Sequence, residues 1–469
     1  MQELISREAA TGVEIWRAAE GNAAAEVQAA RGGVAAWAAK PLTVRIETLR
    51  RFANILRIRL DDFIDLIARE SGLPLWEARA EAEAVIAQVD VSVSAYADRT
   101  PQRRLEGDMG ARSAVRHRPL GVVAVITPYA MPASLPGGQI VPALIAGNTV
   151  VFKPSERAAA TGAFLVSACH EAGIPENALR LLPGGPETGE ALARERDVDA
   201  LFFTGSARSG LKLKGLLADR HDLLVSMSLG GNNPILLWNT SEVHSAAALI
   251  VQSAFGAGGQ RCTAGRRLIV EDGRFEPFLA EIRNILKRMI IGAPLDSPAP
   301  FMGPMIDEAQ AEAVEQGYQR LIEAGGKPVI PLERPFPGKP FLTPAIIDVT
   351  DVSEPCEDEI FGPVLQLVRV SDFDAALREA NSGRFGLAAT LIGSDPADYE
   401  RFWAEVRAGL IGWNRTILRP HAAAPFGGLG LSGNHRPGGF YTADHCVFPV
   451  ASLEAEHARA FIGIGLSDS

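Results

Sequence analysis

The sequence predicts an α/β protein built from two α/β domains. Short β-branched runs alternate with helical stretches from about residue 121, the spacing of parallel βαβ units. The alternation resumes after Pro234 and continues to about Trp413. At 469 residues the chain also exceeds what one small core can organise, so two or three domains are expected.

Taken in order, residues 22–97 read as helical. Val27, Val34 and Trp37, then Phe52, Ile55, Leu56, Ile58 and Leu60, recur between charged positions. Thr100 to His117 is polar and Arg-rich, and Gly107, Asp108 and Gly110 break it, which suggests an exposed turn or hairpin. Gly121 to Ile126 is a continuous apolar run and reads as a buried strand, followed by a helix over Leu135–Ala146. Strands at 149–152, 200–203 and 223–225 alternate with helices at about 158–172 and 206–218. No internal repeat or low-complexity linker interrupts the pattern.

A net charge of −10 argues against nucleic acid or an anionic membrane as the main partner. No apolar stretch is long enough to span a bilayer, and Glu3 and Glu8 precede any apolar run, so no signal peptide is expected. Cys169, Cys262, Cys356 and Cys446 are widely spaced without a CxxC pair, so neither a metal site nor a disulfide framework is expected. These features suit a reducing cytoplasm.

Five strings carry chemistry. Ala257-Gly-Gly-Gln-Arg-Cys262-Thr places a thiol after a Gly-rich turn, where small neighbours leave it open to approach. Phe203-Thr-Gly205-Ser206-Ala-Arg-Ser-Gly210 sits where a strand turns into a helix, and backbone N–H groups there can hold a pyrophosphate. Lys153 and Glu156 end another strand, a position from which both can reach ribose hydroxyls. Glu359-Ile-Phe361-Gly-Pro363 and Pro425 to Pro437 complete the set. Each string alone has a plainer reading: a core cysteine, an ordinary turn, a surface Lys/Glu pair.

In this order the motifs resemble the aldehyde dehydrogenase superfamily over nearly the whole chain. Gly230-Gly-Asn-Asn-Pro234, Gln260-Arg-Cys262-Thr, Ser432-Gly-Asn-His-Arg-Pro437 and Ala451-Ser-Leu-Glu454 look closest to its succinylglutamate-semialdehyde dehydrogenases of arginine breakdown. The resemblance implies a Rossmann-like cofactor domain (1–97 and 119–229), an α/β catalytic domain (230–436) and a small β oligomerisation arm (98–118 and 437–469) in a homodimer or tetramer. It implies Cys262 as nucleophile, Lys153 and Glu156 on the adenosine ribose, Gly205 and Ser206 on the pyrophosphate side, and Glu359 with Phe361 on the nicotinamide half. Glu156 favours NAD over NADP, because a carboxylate repels a 2′-phosphate.

Two positions depart from the pattern. The oxyanion asparagine of the family falls in Pro128-Tyr129-Ala130-Met131-Pro132, where its place holds Ala130. The general-base glutamate falls in Met227-Ser228-Leu229-Gly230-Gly231, where its place holds Ser228. Losing one oxyanion donor typically costs on the order of 10²–10³ in rate, and a neutral hydroxyl is no base at pH 7. Three readings follow: NAD(P)-dependent oxidation with relocated or substrate-assisted groups, acyl transfer to a non-water nucleophile or a reductive reaction, and a weakened homologue kept for binding or assembly.

Arg261, Arg266, Arg415, Arg419, His435 and Arg436 fall in or near site segments, and converging guanidinium groups would grip a small anionic aldehyde. Some of them are expected to pair with acids instead. Tyr129 and Trp413 are candidates to wall the aldehyde channel, with packing the plainer role. His435 is a candidate to replace the missing base, with a hydrogen-bonding role the plainer one.

Overall fold

Two parallel sheets carry the chain in the computed structural model, which describes residues 3–106, 112–352, 358–418, 421–457 and 465. In spatial order the first holds Leu179–Leu181, Thr149–Lys153, Val122–Ile126, Ala200–Thr204 and Leu224–Ser228, all parallel. Every residue of the central strand Val122–Ile126 is buried, which is why it reads as an unbroken apolar run. The chain builds outward on one side of that strand and then on the other. The strand order therefore reverses beside it, and a crevice opens beyond the carboxyl ends, the usual ligand position in such sheets. The last strand runs on to Ser228, three residues beyond the predicted end, so Ser228 faces that crevice from a strand terminus.

Four helices precede this sheet: Ala23–Ala38, Leu42–Ile58, Leu60–Ser71 and Leu75–Arg99. Asn22 caps the first by accepting from Ala25 N at 3.0 Å, and Gly72 ends the third with a φ of 76° that few other residues tolerate. Trp37, Leu49, Phe52, Phe63 and Val85 share one core with Val123, Val125 and Phe152 of the sheet. A hairpin, Glu3–Arg7 with Glu14–Ala19, comes before them, an element the apolar periodicity does not announce.

The second sheet orders Lys327–Ile330, Ala345–Asp348, Val364–Val370, Gly265–Glu271, Asn233–Leu237, Ala388–Ile392 and Leu410–Trp413. Only its first strand is antiparallel to its neighbour. Residues 229–232 lead directly from the carboxyl end of the first sheet to the amino end of the second.

Arg103–Glu106, Arg112–Pro119 and Val447–Glu454 form a separate antiparallel sheet. Gly107, Asp108 and Gly110 lie outside the described residues, as do Cys356 and Arg419. The C-terminal strand of this sheet begins at Val447. The turn Phe440–His445 packs on the helices Leu75–Arg99 and Ser134–Ala146, and Cys446 enters the first core. The segment 432–434 also bonds to the last strand of the first sheet and the residue after it. Leu229 N donates to Ser432 O at 3.0 Å and Asn434 N to Met227 O at 3.1 Å, while Asn434 Oδ1 accepts from Met227 N at 2.7 Å. A sheet edge left without such partners would strand buried backbone polar groups.

Candidate active site

Cys262 sits between the helix Val243–Phe255 and the strand Gly265–Glu271, at the amino end of the second sheet. Ala257, Gly258 and Gly259 turn the chain there with φ of 54°, 63° and 68°. Glycine suits two of these left-handed positions, and Ala257 takes the third at roughly 1–2 kcal/mol. Gly259 has a second reason: a Cβ on it would lie 2.2 Å from Gly362 O, so this loop rests backbone to backbone on the 359–362 segment. Asn233 fixes the far side of the loop. Its Nδ2 donates to Cys262 O (2.7 Å) and Ala264 O (2.8 Å), and its Oδ1 accepts from Ala388 N (3.0 Å).

The thiol opens into a cleft of about 410 Å³ whose walls include Tyr129, Ala130, Gly205, Ser206, Ser228, Gly230, Glu359 and Phe361. The carboxyl ends of the first sheet thus meet the amino end of the second across one space. Burial pushes the Cys262 thiol up to about 12; the nearby Glu359 carboxylate adds to this, while Arg261 and Arg266 oppose it. Burial likewise raises Glu359 to about 7, against the pull of Arg266 and the Gly231 N–H. The Tyr129 ring stands edge-on to Phe361 with centroids 6.1 Å apart, and Arg157 lies over it at 5.6 Å.

Ala130 presents only a methyl group to this cleft. Ser228 Oγ is buried and has no hydrogen-bond partner among the described residues. Gly205 and Ser206 occupy the start of the helix Ala207–Leu216, where Ser206 Oγ accepts from Ser209 N at 3.2 Å. A Cβ at Gly205 would lie 2.5 Å from the Phe203 ring, so only glycine lets the backbone line the cleft there. Lys153 ends its strand buried, its Nζ 3.7 Å from Glu156 and donating to Pro154 O at 3.1 Å. Burial pulls this ammonium below its usual range, and Glu156 pulls it back. A Gly-backed helix N-terminus and a buried lysine paired with the half-buried Glu156, both at the carboxyl ends of one parallel sheet, fit a dinucleotide.

Other expected site residues are not brought into the cleft. Arg261 is fully buried, with Nη1 3.6 Å from Met131 Sδ and Nη2 3.8 Å from Glu77. Arg266 is also buried and spent on protein oxygens: Gly362 O (2.9 Å), Arg261 O (3.1 Å) and Glu359 Oε1 (3.3 Å). Neither guanidinium is open to a substrate, which corrects the expectation of converging arginines. Arg415 is exposed outside the cleft lining. Trp413 stacks on Tyr399 at 4.4 Å and donates from Nε1 to Gly393 O at 2.9 Å, a packing role. His435 and Arg436 take left-handed φ of 57° and 56° straight after the backbone pairing of 432–434. His435 is exposed with its ring 5.4 Å from that of His445, and Arg436 Nη1 donates to Gly428 O at 2.7 Å. His435 is not among the residues that line the cleft.

Sequence reasoning missed Arg208, Gln310, Arg320 and Asp358, which also line the cleft. Arg208 lies inside the Gly205–Gly210 string and could have been found. Gln310 and Arg320 belong to the helix Glu308–Glu323, whose ordinary charged pattern carries no such signal.

Comparison with known proteins agrees with this geometry. The model of the aldehyde dehydrogenase family matches residues 5–448. An N-succinylglutamate 5-semialdehyde dehydrogenase of Sphingopyxis alaskensis is 53% identical over 467 residues, spanning all of this chain and 97% of that protein. One from Novosphingobium aromaticivorans is 51% identical across 99% of this chain and 98% of its own. The aldehyde dehydrogenase KauB from Pseudomonas aeruginosa superposes with a TM-score of 0.91 at 28% identity, covering 97% of this chain and 93% of that one. PnpE in complex with nicotinamide adenine dinucleotide gives 0.91 at 26% identity, covering 98% and 95%. The chain belongs to the aldehyde dehydrogenase family, and with it to the NAD(P)-dependent oxidoreductases that oxidise aldehydes.

Proposed function

We propose that this chain oxidises N-succinylglutamate 5-semialdehyde, or a closely similar anionic ω-semialdehyde, through Cys262. The carrying observation is the single cleft in which the thiol faces the carboxyl ends of the first sheet. The substrate is taken from the relatives at 53% and 51% identity, which are named for that aldehyde. Those names favour oxidation over acyl transfer, reduction or a purely binding role.

Cys262 attacks the aldehyde carbon to form a thiohemiacetal, and loss of hydride leaves a thioester on the same sulfur. Bound NAD supplies the hydride acceptor. Gly205 and Ser206 would hold its pyrophosphate side, Lys153 and Glu156 its adenosine ribose, and Glu359 with Phe361 its nicotinamide half. Glu156 sets the preference for NAD, since its charge opposes a 2′-phosphate. Ala130 gives the thiohemiacetal oxygen no side-chain donor, which leaves the backbone N–H of Cys262 as half of an oxyanion hole. The strand pair around Arg112–Pro119, with Leu105, Phe448 and Leu453 exposed, is the surface for assembly into a homodimer or tetramer. No helix among the described residues is long and apolar enough to cross a membrane, in keeping with a cytoplasmic setting.

Steady-state NADH formation with N-succinylglutamate 5-semialdehyde tests the reading. The expected result is turnover that saturates with this aldehyde and falls when its carboxylates are removed. Absence of NADH formation with any ω-semialdehyde would overturn it.

A further inference from the structure

We infer that Glu359 is the general base that releases the acyl group from Cys262, and that Arg266 is its positioning residue. The inference rests on Cys262 being the acylated nucleophile. The position where the resemblance expects a base offers only the Ser228 hydroxyl, so a proton acceptor must come from elsewhere in the cleft. Among its lining residues the carboxylates are Asp358, which is exposed, and Glu359, whose side chain is 12% exposed.

Two adjacent glycines place the Glu359 carboxylate and the backbone of the nucleophile loop against one short turn. A Cβ on Gly230 would lie 1.8 Å from Glu359 Oε2, and a Cβ on Gly231 would lie 3.0 Å from Cys262 O. Successive Cα atoms are about 3.8 Å apart, so carboxylate and nucleophile backbone press on one short stretch. Side chains at 230 or 231 would force them apart. Arg266 closes the arrangement from the other side. It bonds the backbone of the nucleophile loop (Arg261 O), the backbone of the 359–362 segment (Gly362 O) and the Glu359 carboxylate itself. One buried guanidinium thereby ties the acid to the loop that carries Cys262, as an outer-shell partner orients an active group.

In the step proposed, the Glu359 carboxylate takes a proton from water while the water oxygen bonds to the thioester carbon. The carbon–sulfur bond then breaks, its electron pair returning to Sγ, and the proton on Glu359 passes to that thiolate. The products are a carboxylic acid and the free thiol; no oxidant or reductant is required.

The test uses the full-length protein and p-nitrophenyl acetate, which acetylates a reactive thiol without any hydride step. Decay of acetyl-Cys262 is followed by mass spectrometry across pH, in the parent, Glu359→Gln and Glu359→Asp proteins. Acetylation removes the charge of Cys262. The titratable and charged groups facing Glu359 are then Arg266 and Tyr129, with Asp358, Arg208 and Arg320 on the same walls. A base works ionised, so parent decay should quicken with rising pH through a midpoint near 7 and then level off. Glu359→Gln should slow it by about 10²-fold and abolish that rise. Glu359→Asp, still a carboxylate, should retain a titrating but slower decay. Parent-like decay with an unchanged pH profile in Glu359→Gln would overturn the inference alone. Failure of Cys262 to acetylate in the parent would instead overturn the nucleophile reading, and the inference with it.

Discussion

The two parallel sheets are alike in architecture, yet they meet the cleft with opposite ends. The first presents its carboxyl ends, where strands terminate in Tyr129–Ala130, Gly205–Ser206 and Ser228. The second presents its amino end, with Cys262 just before the strand Gly265–Glu271. Its own carboxyl ends also open a cavity, of about 320 Å³, lined by Trp238, Asn239, Thr240, Glu271 and Arg274. Among its lining residues the only ion pair is Glu271 with Arg274 at 3.2 Å, and none of them is a cysteine. The same strand-end geometry therefore exists twice, and the chemistry-bearing side chains converge at one of the two places. Fold supplies the crevices; side chains decide which is used.

Three changes would break or sharpen that contrast. Cys262→Ala should lower aldehyde oxidation by at least about 10³-fold while NAD binding measured by calorimetry persists, since Lys153, Glu156, Gly205 and Ser206, proposed to hold the dinucleotide, lie at the first sheet and the thiol at the second. Loss of both together would mean that the two sheet ends are not separable. Ala130→Asn should raise kcat by about 10²-fold by restoring a donor beside the thiohemiacetal oxygen. No gain would show that the wall at Ala130 has been remade around its methyl group. Asn239→Ala, at the far cavity, should change kcat/KM by less than about twofold. A large effect would mean that the second crevice takes part in the reaction.

Much of this division was legible in the sequence. The strand Val122–Ile126 could be read because a strand covered on both faces must be apolar throughout, and Cys262 because a Gly-rich turn preceded it. Lys153 ends the strand Thr149–Lys153, and Glu156, three residues on, comes within 3.7 Å of its ammonium. The arginines were not legible. Arg266 is held by two carbonyls and by a carboxylate 93 residues away, and backbone acceptors leave no mark in side-chain identity. Arg261 and Arg266 look alike in sequence, but their burial depends on Glu77, Met131 and Gly362, which come from three distant segments. His435 and Arg436 turn away because 432–434 is committed to pairing with Leu224–Ser228, a contact that only the assembled sheet reveals.

That pairing also sets an order of events during synthesis. Met227 and its partner Asn434 are 207 residues apart, and Arg116 meets Glu454 across 338. A ribosome adding about 5–20 residues per second delivers the first sheet roughly ten seconds or more before the segment that seals its edge. Throughout that interval the strand Leu224–Ser228 is an open template for other chains. Its sequence, Leu-Val-Ser-Met-Ser, sets two hydroxyl side chains among its apolar ones, which tempers self-association until the last part of the chain arrives.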